Sequence, residues 1–253
     1  RQKGVVTRVS VKSNGSQANV YSYDPHISAN GQFVVFVSYA SNLVAGDTNN
    51  AYDVVVHNRT TGTTTRVSLK AASTQTNDNS WSPTVSADGR YVAFYSYATN
   101  LVTGDTNGTS DVFVRDLTAK TTARVSVSSA GAQANEWSEM PEISDNGRYV
   151  AFISGADNLV AGDVNGSNND VFLRDRQTNT TTLVSRDAAG NQAEWAYGSS
   201  LSADGPLVAF DSPSGLLPGG ATHSHDAYAR TRQTGKPVRA SDRTPPAGGT
   251  GPQ

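Results

Sequence analysis

Phe36, Phe94, Phe152 and Phe210 stand 58 residues apart. Arg8, Arg66 and Arg124 keep the same step, and Leu183 follows 59 residues later. A chain that copies itself at this interval stacks similar units, because one such unit cannot bury both of its faces alone. The fullest copy of the unit's second half is Asn100–Asp116, NLVTGDTNGTSDVFVRD. It recurs at Asn42–Val56 and Asn158–Asp175 and fades at Leu216–Arg230.

Each unit divides into four strands. The first is Pro83-Thr-Val-Ser86, matched by Pro25–Ser28, Pro141–Ser144 and Ser199–Ser202. Proline is admitted at the start of a strand because that position need not donate to the ladder. A tight turn follows at Ala87-Asp88-Gly89, Ala29-Asn30-Gly31, Asp145-Asn146-Gly147 and Ala203-Asp204-Gly205. Asp-Gly and Asn-Gly supply the positive φ that a short hairpin needs. The second strand is Tyr91–Ser96 and its copies, apolar on both faces. The third begins at Asp53, Asp111, Asp170 or Asp226. The fourth is Thr64–Ser68 and its copies, rich in Thr and Val, and suits an outer, half-wet position. No window holds a 3.6-residue apolar period, so essentially no helix is expected.

Four-stranded antiparallel units repeating at this length are expected to be blades of an all-β propeller. A β-solenoid or a row of small sandwiches is the alternative. The run Pro-x-Ile-Ser-Ala-Asp-Gly-Arg-Tyr-Val-Ala-Phe-x-Ser, followed by Asp-Val-Phe-Val-Arg-Asp, resembles the TolB-like, WD-related propeller repeat from about Pro25 to Arg230. The resemblance implies a propeller, more often of six or seven blades. It leaves function open, since such propellers bind proteins, glycans or small ligands, and some are lyases or peptidase appendages.

The expected organisation is a propeller over 1–242, with blades at about 24–70, 82–128, 140–187 and 198–242, and a Pro/Gly-rich tail at 243–253. Val5–Ser10 is a surplus fourth-type strand. It either closes a four-bladed ring against the degenerate Pro237–Ser241, adds to a neighbouring copy by strand addition, or belongs to a longer propeller.

A net charge of −2 and a pI of about 6.1 make no cationic stripe, so no nucleic-acid partner is expected. There is no cysteine, hence no disulfide and no thiolate metal site. No apolar run approaches a membrane span. The start Arg1-Gln2-Lys3 is read as a trimmed, secreted chain, extracellular or periplasmic, with a cytosolic chain as the alternative.

Strand alternation places the first-to-second and third-to-fourth turns on one face. The longer second-to-third loops and the links between blades lie on the other, where function tends to sit. The long loops hold Asp47, Asn49 and Asp53; Asp105, Asn107 and Asp111; Asp163, Asn165 and Asp170. Two carboxylates and an amide within seven or eight residues suit Ca2+, a hard cation that takes oxygen ligands. The other reading is Asx turns with a capping Asp at the third strand. The fourth copy has Gly220 and Thr222 at those places, so no ion is expected there. The links carry Gln17-Ala-Asn19, Gln75-Thr-Asn77, Gln133-Ala-Asn135 and Gln192-Ala-Glu194, followed by Tyr21, Tyr23, Trp81, Trp137, Trp195 and Tyr197. Ring faces beside amides suit a glycan, whose C–H faces stack on rings while its hydroxyls need donors and acceptors. A ring once per repeat also suits packing between blades.

Chemistry for turnover is sparse. Ser86-Ala-Asp88-Gly89 lacks the spacing of a sialidase Asp-box, and no Gly-x-Ser-x-Gly elbow or phosphate loop occurs. Glu136, Glu139, Glu142 and Asp145 crowd one blade only, and the four histidines form no ligand set. The expectation is a non-catalytic, calcium-binding module for protein or glycan. The alternatives are a polysaccharide lyase or glycoside hydrolase, and a structural protein assembling through Val5–Ser10.

Overall fold

A computed structural model of the chain describes residues 4–71, 74–205, 207–217 and 225–231, and the backbone of 237–239. Four sheets of four antiparallel strands follow one another along the chain. The first holds β1 (Ser22–Ile27), β2 (Phe33–Ser38), β3 (Asp53–Asn58) and β4 (Thr63–Arg66). A short pair in the first link, β5 (Leu69–Lys70) and β6 (Thr74–Gln75), precedes the second sheet. That sheet is β7 (Ser80–Val85), β8 (Tyr91–Ser96), β9 (Asp111–Asp116) and β10 (Thr121–Arg124). The third is β11 (Ser138–Ile143), β12 (Tyr149–Ser154), β13 (Asp170–Asp175) and β14 (Thr180–Leu183). The fourth is β15 (Tyr197–Leu201), β16 (Leu207–Ser212), β17 (Asp226–Thr231) and β18 (Pro237–Arg239). No helix occurs among the described residues.

The first strands β1, β7, β11 and β15 touch one another in turn and line the axis. They begin before the prolines, not at them. Ser80 and Trp81 pair with Ser96 and Tyr95, the register then slips, and pairing resumes at Thr84. β1, β11 and β15 slip at the same place. The residue at each slip has positive φ: Asp24, Ser82, Met140 and Gly198. A bulge here removes Pro25, Pro83 and Pro141 from donating positions, which is how a proline survives inside a strand.

Neighbouring sheets pack through their apolar faces. Val35, Val37, Val54 and Val56 of the first meet Val92, Phe94 and Phe113 of the second. Ala93, Val112 and Val114 meet Val150, Phe152 and Phe172. Ala151, Ile153 and Val171 meet Val208, Phe210 and Tyr228. Each seam is pinned by a ring seated beneath the hairpin glycine of the next sheet. A Cβ on Gly89 would lie 2.0 Å from the Phe33 ring, one on Gly147 2.1 Å from Tyr91, and one on Gly205 2.1 Å from Tyr149. These glycines are therefore needed both for positive φ and for close approach. At Gly31, by contrast, the nearest atom to an added Cβ is Arg59 Nη1 at 3.8 Å.

Among the described residues the fourth sheet makes no comparable packing with the first, so the sheets form an arc. Val5–Ser10 forms no strand, contrary to expectation. It meets no open sheet edge among the described residues, and Val5 and Val6 are exposed. Its Val9 and, beyond it, Ala18 pack on the first sheet against Val34 and Phe36. Thr64 Oγ1 there donates to the Val11 carbonyl, as Thr122 donates to Leu69 and Thr181 to Val127. The expected tail at 243–253 lies outside the described residues, as do Gly220, Thr222 and His223.

Candidate functional site

The long loops and links share one face, as strand alternation requires. In the first three sheets the third strand opens on a buried Asp whose carboxylate is tied to the end of its fourth strand. Ser68 Oγ donates to Asp53 at 2.7 Å, Ser126 to Asp111 at 2.5 Å, and Ser185 to Asp170 at 2.5 Å. The same hydroxyls accept the backbone N–H of Val54, Val112 and Val171. These bonds fasten the outer strand to its neighbour.

In the first two loops an arginine stands between the paired carboxylates. Arg66 Nη2 lies 2.8 Å from Asp47 and its Nε 3.3 Å from Asp53. Arg124 lies 3.3 Å from Asp105 and 3.4 Å from Asp111, and all three side chains are nearly inaccessible. The guanidinium does there what a bound cation would do, so these loops fit calcium poorly. The third loop differs, because Leu183 occupies the arginine position. Gln192 Nε2 donates to both Asp163 and Asp170 at 2.7 Å, as Gln133 does to Asp105 and Asp111, while Arg186 Nη2 donates to the Gly162 carbonyl at 3.0 Å. Asp163 Oδ2 and Asn165 Oδ1 are buried without a hydrogen-bond partner, as are Asn49 Oδ1 and Asp53 Oδ2 of the first loop, where Arg66 faces Asp53 Oδ2. Burial pushes Asp170 up to about 6, against the pull of Ser185 and Asn165. Burial does the same to Asp111, opposed by Ser126 and then Arg124. No group of three or more His, Cys, Asp or Glu converges among the described residues.

The repeated link amides brace the loops. Gln75 Nε2 donates to the Gly46 carbonyl, and Gln133 Nε2 to Asp105 and Asp111 at 3.0 Å. The backbone N–H groups of Asn19, Asn77 and Asn135 donate to Asn42, Asn100 and Asn158.

The six link aromatics separate into three groups. Tyr21, Tyr23 and Trp81 join a continuous patch with Tyr39 and Tyr52. Ring centroids lie 6.1 Å apart for Tyr21 and Tyr23, 6.2 Å for Tyr23 and Tyr52, 4.9 Å for Tyr39 and Tyr52, and 4.3 Å for Tyr52 and Trp81. Tyr95 stands across the strand pair from Trp81 and is 6.2 Å from Tyr97. Tyr97 Oη and Ser110 Oγ both donate to Glu139 Oε1 at 2.9 Å. Tyr21, Tyr23, Tyr39 and Tyr97 are between 43% and 68% exposed, so a partner can reach their faces. Trp137 instead packs between sheets, its Nε1 2.9 Å from where a Gly155 Cβ would stand. Trp195 is half-buried, and Tyr197 lies 5.6 Å from the His225 ring.

Sequence reasoning passed over Tyr39, Tyr52, Tyr95 and Tyr97, and it weighed Glu139 only as a carboxylate for turnover. Tyr39 and Tyr97 share the 58-residue step, which was the available signal. Tyr52 has no like residue in the other copies, Glu139 stands where they have Tyr23, Trp81 and Tyr197, and only adjacency of sheets brings them in.

This arc of bulged four-stranded blades is the TolB-like β-propeller repeat fold. No protein-family model and no curated protein matches the chain. Solved structures do match. TolB from Acinetobacter baumannii is 16% identical at a TM-score of 0.50, covering 89% of this chain and 44% of that one. The β-propeller domain of the trilobed protease from Pyrococcus furiosus, described as having an open velcro topology, is 13% identical at 0.53, covering 88% and 59%. The putative TolB from Agrobacterium tumefaciens is 14% identical at 0.52, covering 88% and 62%. The chain thus spans 44% to 62% of the length of these structures. No helix among the described residues is long and apolar enough to cross a membrane.

Proposed function

We propose that the chain is a non-catalytic binding module that recognises a protein or glycan with the long-loop face. The observation behind this reading is the patch Tyr21, Tyr23, Tyr39, Tyr52 and Trp81, drawn from two adjacent sheets and left partly open to solvent. Tyrosine and tryptophan give large contact area at small entropic cost, and they dominate recognition surfaces. A rigid stack of blades holds them in place before any ligand arrives, which lowers the cost of association. Calcium belongs to this proposal at the third loop alone, held by Asp163, Asn165 and Asp170, where no guanidinium bridges the paired carboxylates and Arg186 is turned to the Gly162 carbonyl. An extracellular or periplasmic setting, where millimolar calcium is available, suits that loop.

The test is a screen of the purified chain against a glycan array and a displayed peptide library, repeated with Tyr23→Ala and Trp81→Ala. Ligands found by the parent chain should weaken at least tenfold with each variant while the fold persists. Binding that survives both substitutions would place recognition elsewhere and end this reading.

A further inference from the structure

We infer that the ligand of this face presents a cation, a lysine or arginine side chain of a basic protein segment, to the inner end of the aromatic patch. The inference rests on the binding reading above and narrows it.

The first support is charge. The second-to-third loops 39–52, 97–110 and 155–169 contain no lysine or arginine. Neither do β1, β7, β11 and β15, which line the axis. Those inner strands hold Asp24, Glu139 and Glu142 instead. Their one basic group, His26, is driven by burial below its ordinary pKa and is neutral at pH 7. Arg66, Arg124 and Arg186 do reach this face, but the first two are committed to their own carboxylate pairs and Arg186 to the Gly162 carbonyl.

The second support is the rings themselves. A ring face is electronegative and attracts a cation within about 6 Å of its centroid. At the opposite, short-turn end this chain satisfies its rings internally. Arg90 and Arg176 each lie 4.7 Å from the Tyr91 centroid, and Arg148 lies 4.8 Å from that of Tyr149. Among the described residues no cation covers Tyr21, Tyr23, Tyr39, Tyr52, Trp81, Tyr95 or Tyr97. The long-loop rings are thus the ones whose faces await a cation from outside.

The third support is the placement of the carboxylates. Glu139, from the third sheet, is bonded to Tyr97 of the second, so it borders the patch. Asp24 sits at the β1 bulge, exposed, next in sequence to Tyr23. Tyr95 feels both: its hydroxyl is held well above the usual phenol range by burial first, then by Glu139, Tyr97 and Asp24. A neutral sugar would gain stacking here but would leave both carboxylates uncompensated. A lysine or arginine satisfies ring and carboxylate together, and exposed cation–ring contacts add about 0.5–1 kcal/mol each.

The experiment uses a fluorescein-labelled hexalysine peptide and the same peptide with every side-chain amine acetylated, followed by anisotropy with the full chain. Hexalysine should bind at least tenfold more tightly than the acetylated form. Asp24→Asn with Glu139→Gln should lose at least tenfold, and Tyr23→Ala should lose severalfold with an unchanged melt. Equal affinity for the two peptides, absence of hexalysine binding, or full retention in either variant would overturn the inference. Retained binding in Tyr23→Ala alone would mark non-specific attraction between opposite charges. A neutral glycan bound through Tyr23 would leave the binding module standing while removing the cation.

Discussion

Replacing Arg124 with leucine copies into the second sheet what the third already has at Leu183. Arg124 is 7% exposed at its side chain and bridges Asp105 and Asp111, which are 3% and 0% exposed. Removing the guanidinium strands two buried carboxylates. Breaking such a buried pair by deleting one partner costs about 3–5 kcal/mol. In a domain of this size that corresponds to a fall in melting temperature of about 6–20 °C. The loss should depend on pH with a definite sign. Asp111 already has its pKa raised from 3.8 to about 6, burial being the largest cause and Arg124 opposing it. A raised folded-state pKa means the native state holds a proton that the unfolded chain has released. The associated stability is fully present below about pH 4 and is lost as pH rises through 6. Without Arg124 the pair holds its proton to higher pH still. The gap between parent and variant should therefore be largest at pH 7. At pH 5 it should narrow by about 1.4 kcal/mol for each pKa unit the substitution adds within that window. Urea titrations at pH 7 and pH 5, followed by tryptophan fluorescence, measure both quantities. A loss under about 1 kcal/mol, or the same loss at both pH values, would refute the electrostatic account of this loop.

Three further outcomes follow from the same geometry. Millimolar calcium should raise the melting temperature of the parent chain, as a ligand specific to the native state must. Leu183→Arg should abolish that rise by placing a guanidinium between Asp163 and Asp170, and a melt identical in chelator and calcium would remove the third-loop site altogether. Gly147→Ala should cost about 1–3 kcal/mol more than Gly31→Ala, because both share a positive φ but only the former drives a Cβ into a ring. Equal losses would show that the ring seat contributes nothing. Phe94→Ala, at the centre of the seam between the first two sheets, should cost about 3–5 kcal/mol by calorimetry or urea. A loss below 1 kcal/mol there would mean that the blades are not held by their apolar faces.

The repeat was legible because each strand obeys local rules. Asp53, Asp111, Asp170 and Asp226 do open the third strands, and the Asp-Gly and Asn-Gly pairs do turn the hairpins. Both are consequences of backbone chemistry within a few residues. The prolines misled by three positions, since a bulge, unlike a strand end, depends on what the partner strand tolerates. The acidic loops looked alike in one dimension. What separates them is a residue up to 20 positions away, arginine at 66 and 124 but leucine at 183, folded back over the carboxylates. The spacing of 58 had marked that position, though its charge could not be assigned to a face until the fourth strand was placed.

The amino-acid sequence alone determined the kind of unit, its length, its strand order and the face on which the long loops gather, because periodicity and turn chemistry act locally. Only the tertiary structure decided which rings meet. Tyr52 meets Trp81 of the next sheet and Tyr97 meets Glu139 of the one after, contacts that exist because neighbouring sheets pack face to face. Trp137 stands at the repeat position of Tyr21 and Asn79, and it is seated against Gly155, where the second sheet has Tyr97. The exposed Tyr21 and the packed Trp137 thus share one repeat position, a distinction that repeat alignment does not contain.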